Sequence, residues 1–277
     1  MANEAYGSGL NLDAMVVPVQ AATVFAAQEA SLYLPGSLVP MVDVPAGSAS
    51  AQVAVMGSVA AQTITSEASE GVDFDAKLPT DTKKTIALDL IAARTVLRDL
   101  GGIDVENMSR IMGNAIATAV DTAVSAEMAN LTQQEITDAN LLHEFYEAVG
   151  AIRNAGEGGQ LNAVISAAAY HEFMQHIGSS AFAAADVQNA AMRTGQIGTI
   201  AGVPCYVSSY LNDTNTGVTG TKAAIFSADA LRGATQGGVK VEIERRAAAV
   251  GSDVISSIAF GVDTLDATRG ILLKDAA

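Results

Sequence analysis

Residues 104–131, DVENMSRIMGNAIATAVDTAVSAEMANL, are the stretch of sequence that decides the fold. Asp104 is a residue type that caps helix N-termini, and no proline follows it in this stretch. Apolar residues recur with a period near 3.6, which predicts one amphipathic helix about 40 Å long. Such a helix is either the core helix of an ordinary domain or a spine that carries separate domains. The flanking sequence decides between these alternatives.

The two faces of this predicted helix differ in polarity. Its apolar stripe comprises Val105, Met108, Ile111, Met112, Ala115, Ile116, Ala119, Val120, Ala123, Val124, Met128 and Leu131. Its opposite face is polar but carries little charge, and it comprises Asn107, Arg110, Asn114, Asp121 and Ser125. The stripe predicts that one side of the helix is buried along its whole length.

The composition indicates thin layers rather than a thick core. Hydrophobic residues make up 49% of the 277 residues, but aromatic residues make up only 5%, and tryptophan is absent. No run of 18 apolar residues occurs, and the N-terminal residues lack a basic segment, so neither a membrane span nor a signal peptide is predicted. The single cysteine, Cys205, excludes an intrachain disulfide and suits a reducing compartment.

The charge of the chain is negative and unevenly distributed. A net charge of −15 argues against binding to nucleic acid or to an anionic membrane as the main task. No lysine or arginine precedes Lys77. The segment before it carries the acids Glu4, Asp13, Glu29, Asp43, Glu67, Glu70, Asp73 and Asp75. This asymmetry predicts a region with its own role, outside the compact body.

Residues 1–48 are predicted to form an N-terminal arm. A short helix is expected at 23–34, and Pro35, Pro40 and Pro45 then recur at every fifth position. Proline at that spacing keeps a chain extended and interrupts regular elements.

Residues 49–92 predict an extended loop made of two strands. The strands are expected at 50–56 and 82–92, with a long polar connection between them. A ribbon of two strands is marginally stable in water, so it needs a partner surface, and a neighbouring subunit is the simplest one. The alternative is a flexible surface loop.

The remainder alternates helices and strands without a regular βαβ order, which predicts the α+β class. Helices are expected at 138–154, after Ser166, and at 183–193. A tight hairpin is expected at 196–209, with its turn at Ala201 and Gly202. Further strands are expected at 162–166, 223–226, 240–244, 253–262 and 270–274, with Gly233, Gly237 and Gly238 marking loops.

Candidate catalytic and metal-binding residues occur without the required spacing. His171 and His176 are five positions apart, so an intact helix cannot present both to one metal ion. Asp213–Gly217 lacks the remaining ligands of a calcium loop, and a polar turn is the better interpretation. Cys205 has no histidine partner in sequence and fits a small buried residue. The sequence therefore does not predict an enzyme.

One hairpin carries the most specific resemblance to a known family. Residues 195–209, GQIGTIAGVPCYVSS, with Gly198, Gly202 and Pro204, resemble the axial-domain hairpin of the major capsid proteins of tailed bacteriophages. Residues 257–273 resemble the closing strands of the same family. The order of arm, long loop, spine helix, α/β region and returning strands is similar over nearly the whole chain.

The resemblance implies a Hong Kong 97-type capsid fold. The peripheral domain would comprise 93–137 and 239–277 with the spine helix, and the axial domain would comprise 138–238. The extended loop, 49–92, would reach a neighbouring subunit. Its tip would form an assembly interface through Glu67, Glu70, Asp73, Asp75, Lys77, Lys83 and Lys84.

The same resemblance implies a function. The chain would assemble into the hexamers and pentamers of an icosahedral head around double-stranded DNA, and it would be found in the virion. No room is left for the N-terminal scaffolding segment of about a hundred residues that some members carry, so a separate scaffolding protein and a portal are expected partners. No cofactor is expected.

Two alternatives remain open at this point. An encapsulin-like cellular shell would share the fold but enclose an enzyme instead of DNA. A soluble enzyme with a long helix and a mobile lid would form a small, fixed oligomer instead of a shell.

Overall fold

The helix expected at 104–131 is present as α2, Val105–Glu127, and a 3-10 turn, Met128–Asn130, continues it. The computed structural model describes residues 12–56, 81–98, 105–137, 140–156, 158–179, 196–246 and 251–276. The helices are α1 Leu12–Ala30, α2, α3 Leu141–Asn154, α4 Tyr170–Ser179 and α5 Asp213–Thr216. The strands are β1 Met41–Asp43, β2 Ser50–Met56, β3 Asp81–Ala87, β4 Asp89–Arg98, β5 Thr132–Ile136, β6 Leu161–Ser166, β7 Gln196–Ile200, β8 Val203–Ser208, β9 Thr221–Ser227, β10 Leu231–Arg246, β11 Gly251–Thr264 and β12 Gly270–Asp275.

The buried side of α2 differs from the predicted stripe at both flanks. Ile111 is 65% exposed and Ala115 is also exposed, although both were expected to be buried. Asp121 and Ser125 were expected on the polar face, and both are buried. The reason is that α1 packs beside α2, at Gly113, and covers one flank that a helix facing only a sheet would leave in solvent.

A four-stranded sheet lies under α1 and α2, in the order β1-β10-β11-β4. β11 runs antiparallel to both β10 and β4, and β1 pairs with β10 in parallel. Ile258 and Phe260 of β11 join Ile116, Val120 and Val124 of α2 in the largest core cluster. Ile258 and Phe260 therefore lie on the face of β11 that α2 covers.

The second sheet has six strands, in the order β5-β12-β9-β6-β8-β7. Phe145 of α3 and Phe173 of α4 pack edge to face, with ring centroids 5.9 Å apart, over Ala163 and Ile225 of the sheet. The helix expected at 183–193 lies outside the described residues.

The predicted boundaries between peripheral and axial domains do not follow the sheets. The expected division at 238/239 falls inside β10, which begins at Leu231 because Gly233, Gly237 and Gly238 lie within a strand instead of marking loops. Gly237 and Gly238 have positive φ, and the register with β11 shifts there, so they form a bulge. β5 and β12 were expected in the peripheral domain, yet they pair with each other and with β9 in the six-stranded sheet.

The predicted N-terminal arm is wrong for residues 19–44. α1 starts at Leu12 and continues through Pro18, instead of starting at residue 23. Val19, Ala27, Tyr33, Val39 and Val44 are buried in the body of the same chain. Tertiary packing compensates for the hydrogen bond that a proline removes from a helix. Residues 1–11 lie outside the described residues.

The predicted second strand of the extended loop divides in two. β3 pairs with β2, whereas β4 pairs with β11, and Leu88 lies between them. The amide of Leu88 donates to the carbonyl of Ala49 at 3.0 Å. The loop therefore ends near residue 88 instead of residue 92.

Candidate assembly surfaces

The extended loop appears as a ribbon, defined here as β2 with β3. Seven antiparallel pairs join them, from Ser50 with Ala87 to Met56 with Asp81. Among the described residues no third strand pairs with the ribbon. An isolated pair of strands is marginally stable in water, so the base of the ribbon has to hold it in place.

The base of the ribbon has its own small core. Ala51 and Ile86 are buried and form a cluster with Val44 and Ala234 of the body. Burial of an isoleucine side chain contributes about 2 kcal/mol, which exceeds a typical surface contact. The ribbon is therefore anchored at one end by apolar burial.

A close backbone contact and two hydrogen bonds also hold the base of the ribbon. Gly261 of β11 lies so close to the carbonyl of Ala87 that a Cβ at this glycine would overlap the oxygen. Gln236 Nε2 donates to the carbonyls of Pro45 and Ser48, each at 2.9 Å. These contacts tie the ribbon and the segment before it to β10 and β11.

The lysines predicted at the tip lie instead along the ribbon. Lys83 pairs with Ala54 and is exposed, whereas Lys84 is half-buried. Lys84 Nζ donates to the carbonyl of Thr264 in the same chain at 3.0 Å. Lys84 is thus part of the base, because its ammonium is bound to the body. The other predicted tip residues, Glu67, Glu70, Asp73, Asp75 and Lys77, lie outside the described residues.

Several ion pairs line a hollow beside Val53, Ala54 and Val55 of β2. Arg269 Nη1 is 3.2 Å from Asp229 Oδ2, and its Nε is 3.3 Å from Asp266 Oδ2. Arg232 Nη2 lies 3.6 Å from the other oxygen of Asp229. Exposed pairs of this kind contribute little individually, so they orient the surface more than they stabilise it.

An open groove of about 730 Å³ lies between the ribbon base, α2 and β11. Apolar and small side chains line its floor, and acidic side chains line its rim. They include Ala87, Ile91, Ala119, Ala123, Phe260 and Val262, with the acids Asp89, Glu127 and Asp263. The groove is a concave surface that no described residue of the chain covers.

The four-stranded sheet has one face that none of the helices α1 to α5 covers. β4 is an edge strand, and its Ile91 points to the core while Leu90 and Val96 point away, with Leu90 73% exposed. Arg94 on the same outer face forms an ion pair with Asp253 of β11. An edge strand with exposed apolar side chains is a surface suited to contact with another chain.

The hairpin that carries the family resemblance is present as β7 and β8. Ala201 and Gly202 have φ of 54° and 75°, as a two-residue hairpin turn requires. Gly198 has φ of 121° at a shift in the register of the two strands, and Pro204 pairs with Thr199. Gly198 and Gly202 therefore shape the hairpin through their backbone conformation.

The structure places the candidate residues Cys205, Asp213 and His171 in three different surroundings. Cys205 is buried, its thiol donates to the carbonyl of Val203, and burial raises its pKa to about 12. The Asp213 carboxylate accepts from the amides of Gly220 and Thr221, so it stabilises a turn. His171 is exposed and contacts Gln175 in its own helix.

The described ranges contain neither a cluster of metal-ligating residues nor a membrane-spanning helix. No group of three or more His, Cys, Asp or Glu residues there is arranged to hold a metal ion. None of the helices in those ranges combines the length and the apolar character that crossing a bilayer requires.

Sequence reasoning missed a buried polar cluster between α2 and the segment after α1. Asp121 accepts from Ser31 Oγ at 2.5 Å and from the amide of Leu32 at 3.1 Å. Ser31 Oγ also accepts from the amides of Tyr33 and Leu34. A carboxylate flanked by Val120 and Val124 was the available signal, because it interrupts an otherwise apolar flank.

Comparisons with known proteins give a consistent result for the fold. No family model and no curated protein matches the sequence. A capsid structure of cyanophage P-SCSP1u has a TM-score of 0.65 at 17% identity, and 88% of each chain is covered. The capsid of an empty GTA particle has a TM-score of 0.64 at 18% identity, covering 90% of this chain and 97% of the other.

A particle from an archaeon is equally similar. The virus-like particle from Pyrococcus furiosus has a TM-score of 0.65 at 11% identity, covering 94% of this chain and 99% of the other. At these identities the likeness is one of fold. It confirms the resemblance carried by the hairpin and by the order of elements: the chain has the fold of the tailed-bacteriophage major capsid proteins.

Proposed function

We propose that this chain is a major capsid protein that assembles into the hexamers and pentamers of an icosahedral phage head. The observation that carries the proposal is the ribbon, a two-stranded element anchored at its base and without a third strand among the described residues. The similarity to capsid structures over nearly the whole chain supports the same function.

The ribbon supports self-assembly for a physical reason. Its base is buried, but Gln52, Ala54 and Lys83 beyond the base are exposed. Ordering such a ribbon costs conformational entropy, and contacts with a neighbouring subunit would offset that cost. Weak contacts of this kind become strong when many copies form them together.

In the proposed subunit, each of the two sheets belongs to a different domain. The four-stranded sheet with α1 and α2 would form the peripheral domain, and the six-stranded sheet with α3 and α4 would form the axial domain. The uncovered face of β4 and the groove beside α2 would be covered by neighbouring subunits. In this arrangement the charged loop tip, which includes Glu67, Glu70, Asp73 and Asp75, would contact a neighbour.

The charge supports enclosure of DNA without tight binding. A chain with net charge −15 gains little from counterion release on DNA, so packaged DNA would move freely against it. The scaffolding protein and the portal would be separate partners, and the assembled protein would be part of the virion.

The alternative is an encapsulin-like shell in a cell. The similarity to the virus-like particle from Pyrococcus furiosus is the observation that favours it. That shell would hold a protein cargo in place of DNA.

Electron microscopy of the purified particles separates these functions. Large heads filled with DNA are expected for a phage capsid, whereas small shells filled with protein would establish the alternative. A small oligomer of fixed size at every concentration, measured by light scattering, would contradict both.

A deletion tests whether the residues that connect β2 to β3 drive assembly. Replacing residues 57–80 by Asn-Gly would join β2 to β3 directly through a two-residue turn and leave the buried base intact. The variant is expected to unfold at the same temperature as the parent but to form no shells. Shells at the parental yield would show that assembly does not need residues 57–80.

A further inference from the structure

The cluster around Asp121 joins the segment after α1 to the spine helix. Asp121 is 2% exposed, and Ser31 and Tyr33 are buried with it. The carboxylate accepts from the Ser31 hydroxyl at 2.5 Å and from the Leu32 amide at 3.1 Å. Two consecutive residues of the segment are thus bound to one side chain of α2.

No positive charge balances this carboxylate within the described residues. The titratable group that faces it is the Tyr33 phenol, which is neutral, and the other buried groups beside it are the Ser31 and Ser125 hydroxyls. A buried carboxylate without a cation is costly in its ionised form, and hydrogen bonds offset only part of that cost.

Two further hydroxyls in the cluster are incompletely satisfied. Tyr33 and Ser125 lie close enough for Ser125 to lower the Tyr33 pKa slightly, but burial and the charge of Asp121 raise it more. The geometry of the two hydroxyls falls short of a hydrogen bond, and neither has another partner among the described residues. Neither hydroxyl therefore donates to Asp121 or offsets the cost of its buried charge.

We propose that the contact of Asp121 on the spine helix with Ser31 and Leu32 of the N-terminal segment responds to pH. Acidification stabilises this contact against opening. The neutral acid is cheaper to bury than the carboxylate, and it still accepts the Leu32 amide at one oxygen. The contact joins the segment between α1 and β1 to α2, because Ser31 lies between α1 and β1 in the chain.

The direction of the effect follows from the pKa of Asp121. Burial raises this pKa above its ordinary value of 3.8, and the hydrogen bonds from Ser31 and the backbone oppose the rise without cancelling it. The extra stability of the neutral form is fully present below 3.8 and is lost as the pH rises through the folded value. Each unit of difference corresponds to about a tenfold change in the opening equilibrium.

Hydrogen exchange of the full chain, below the concentration at which shells form, tests the inference. Protection factors of peptides covering 31–39, corrected for intrinsic exchange, are expected to rise as the pH is lowered from 8 through the folded pKa of Asp121. Asp121→Asn is expected to abolish this dependence. Asp43→Asn, which alters an exposed carboxylate close to the same segment, is expected to retain it.

A protection factor that does not change with pH in the parent, or a dependence that persists in Asp121→Asn, would overturn the inference. If Asp121→Asn does not fold, Ser31→Ala serves instead. Removing this donor raises the pKa of Asp121 further, so the transition in protection should move to higher pH. A transition at the parental pH would also overturn the inference. The result is independent of the proposed function, because no shell is required.

Discussion

Two regions of the first ninety residues have opposite relations to the body of the subunit. Residues 19–44 pack onto the body, with Tyr33 and Val39 fully buried. The ribbon is buried only at its base, around Ala51 and Ile86. Both regions precede or surround the first lysine of the chain, and both were expected to project outwards. The difference shows that a lack of lysine and arginine does not identify a projecting segment. A pair of strands that joins no larger sheet among the described residues does identify one.

The largest expected effect comes from Gly261, where the ribbon meets β11. Gly261→Ala would place a methyl group against the Ala87 carbonyl, which has no room to receive it. A loss of about 3 kcal/mol in the free energy of unfolding is expected, since overpacking against backbone is costly. Thermal and denaturant unfolding measure this loss. Gly150→Ala in α3, where no atom lies within 4 Å of the new methyl group, should instead stabilise by about 1 kcal/mol.

Gly113 provides the corresponding test for the packed segment. A Cβ there would lie 2.7 Å from the Ala26 Cβ and 2.8 Å from the carbonyl oxygen of Thr23, so α1 must shift. We expect Gly113→Ala to cost about 2 kcal/mol and to expose α1 to protease. If α1 remains resistant and stability is unchanged, the contrast between the two regions is weaker than described.

Lys84 should have a smaller effect. Lys84→Met removes the hydrogen bond to Thr264 and is expected to cost about 1 kcal/mol. Lys83→Met alters the exposed neighbour and should change the free energy of unfolding by less than about 0.5 kcal/mol. Equal losses in the two variants, measured by urea denaturation, would show that Lys84 is not part of the base.

The charged tip should leave the stability of the subunit unchanged. Replacing Glu67, Glu70, Asp73 and Asp75 by Ser is expected to change the free energy of unfolding by less than about 0.5 kcal/mol but to lower the yield of shells. Sedimentation measures the yield. Replacing four exposed acids of the body, Glu29, Asp43, Glu135 and Glu147, removes the same charge and is the matched control. Equal yields in both variants would remove the tip from the interface.

The long helix and the hairpin were predictable because each has a strong local signal. α2 follows the apolar period, and the turn at Ala201 and Gly202 follows a rule of backbone conformation. The flank of α2 was not predictable, because the burial of Asp121 depends on α1, which is distant in sequence. A helix period shows which side is apolar, but it does not show how many neighbours the helix has.

Predictions from local sequence were wrong where contacts between distant residues determine the structure. The first helix was expected to start at residue 23, but α1 starts at Leu12 and continues through Pro18 because the following residues are buried against α2. Gly233 predicted a loop, but it lies in β10 because Met41 packs where a side chain would be. At the division near Leu88, both parts alternate as strands, and only the identity of the partner strand separates β3 from β4.

The parallel pairing of β1 with β10 has a consequence for the timing of synthesis. Met41 pairs with Gly233, and Asp43 pairs with Thr235. β1 therefore cannot pair until the ribosome has synthesised β10. Contacts of such large sequence separation form slowly, after the loop between them has been closed. We therefore expect a nascent chain to remain incompetent for association until most of it has emerged, which delays contact between copies until each is complete.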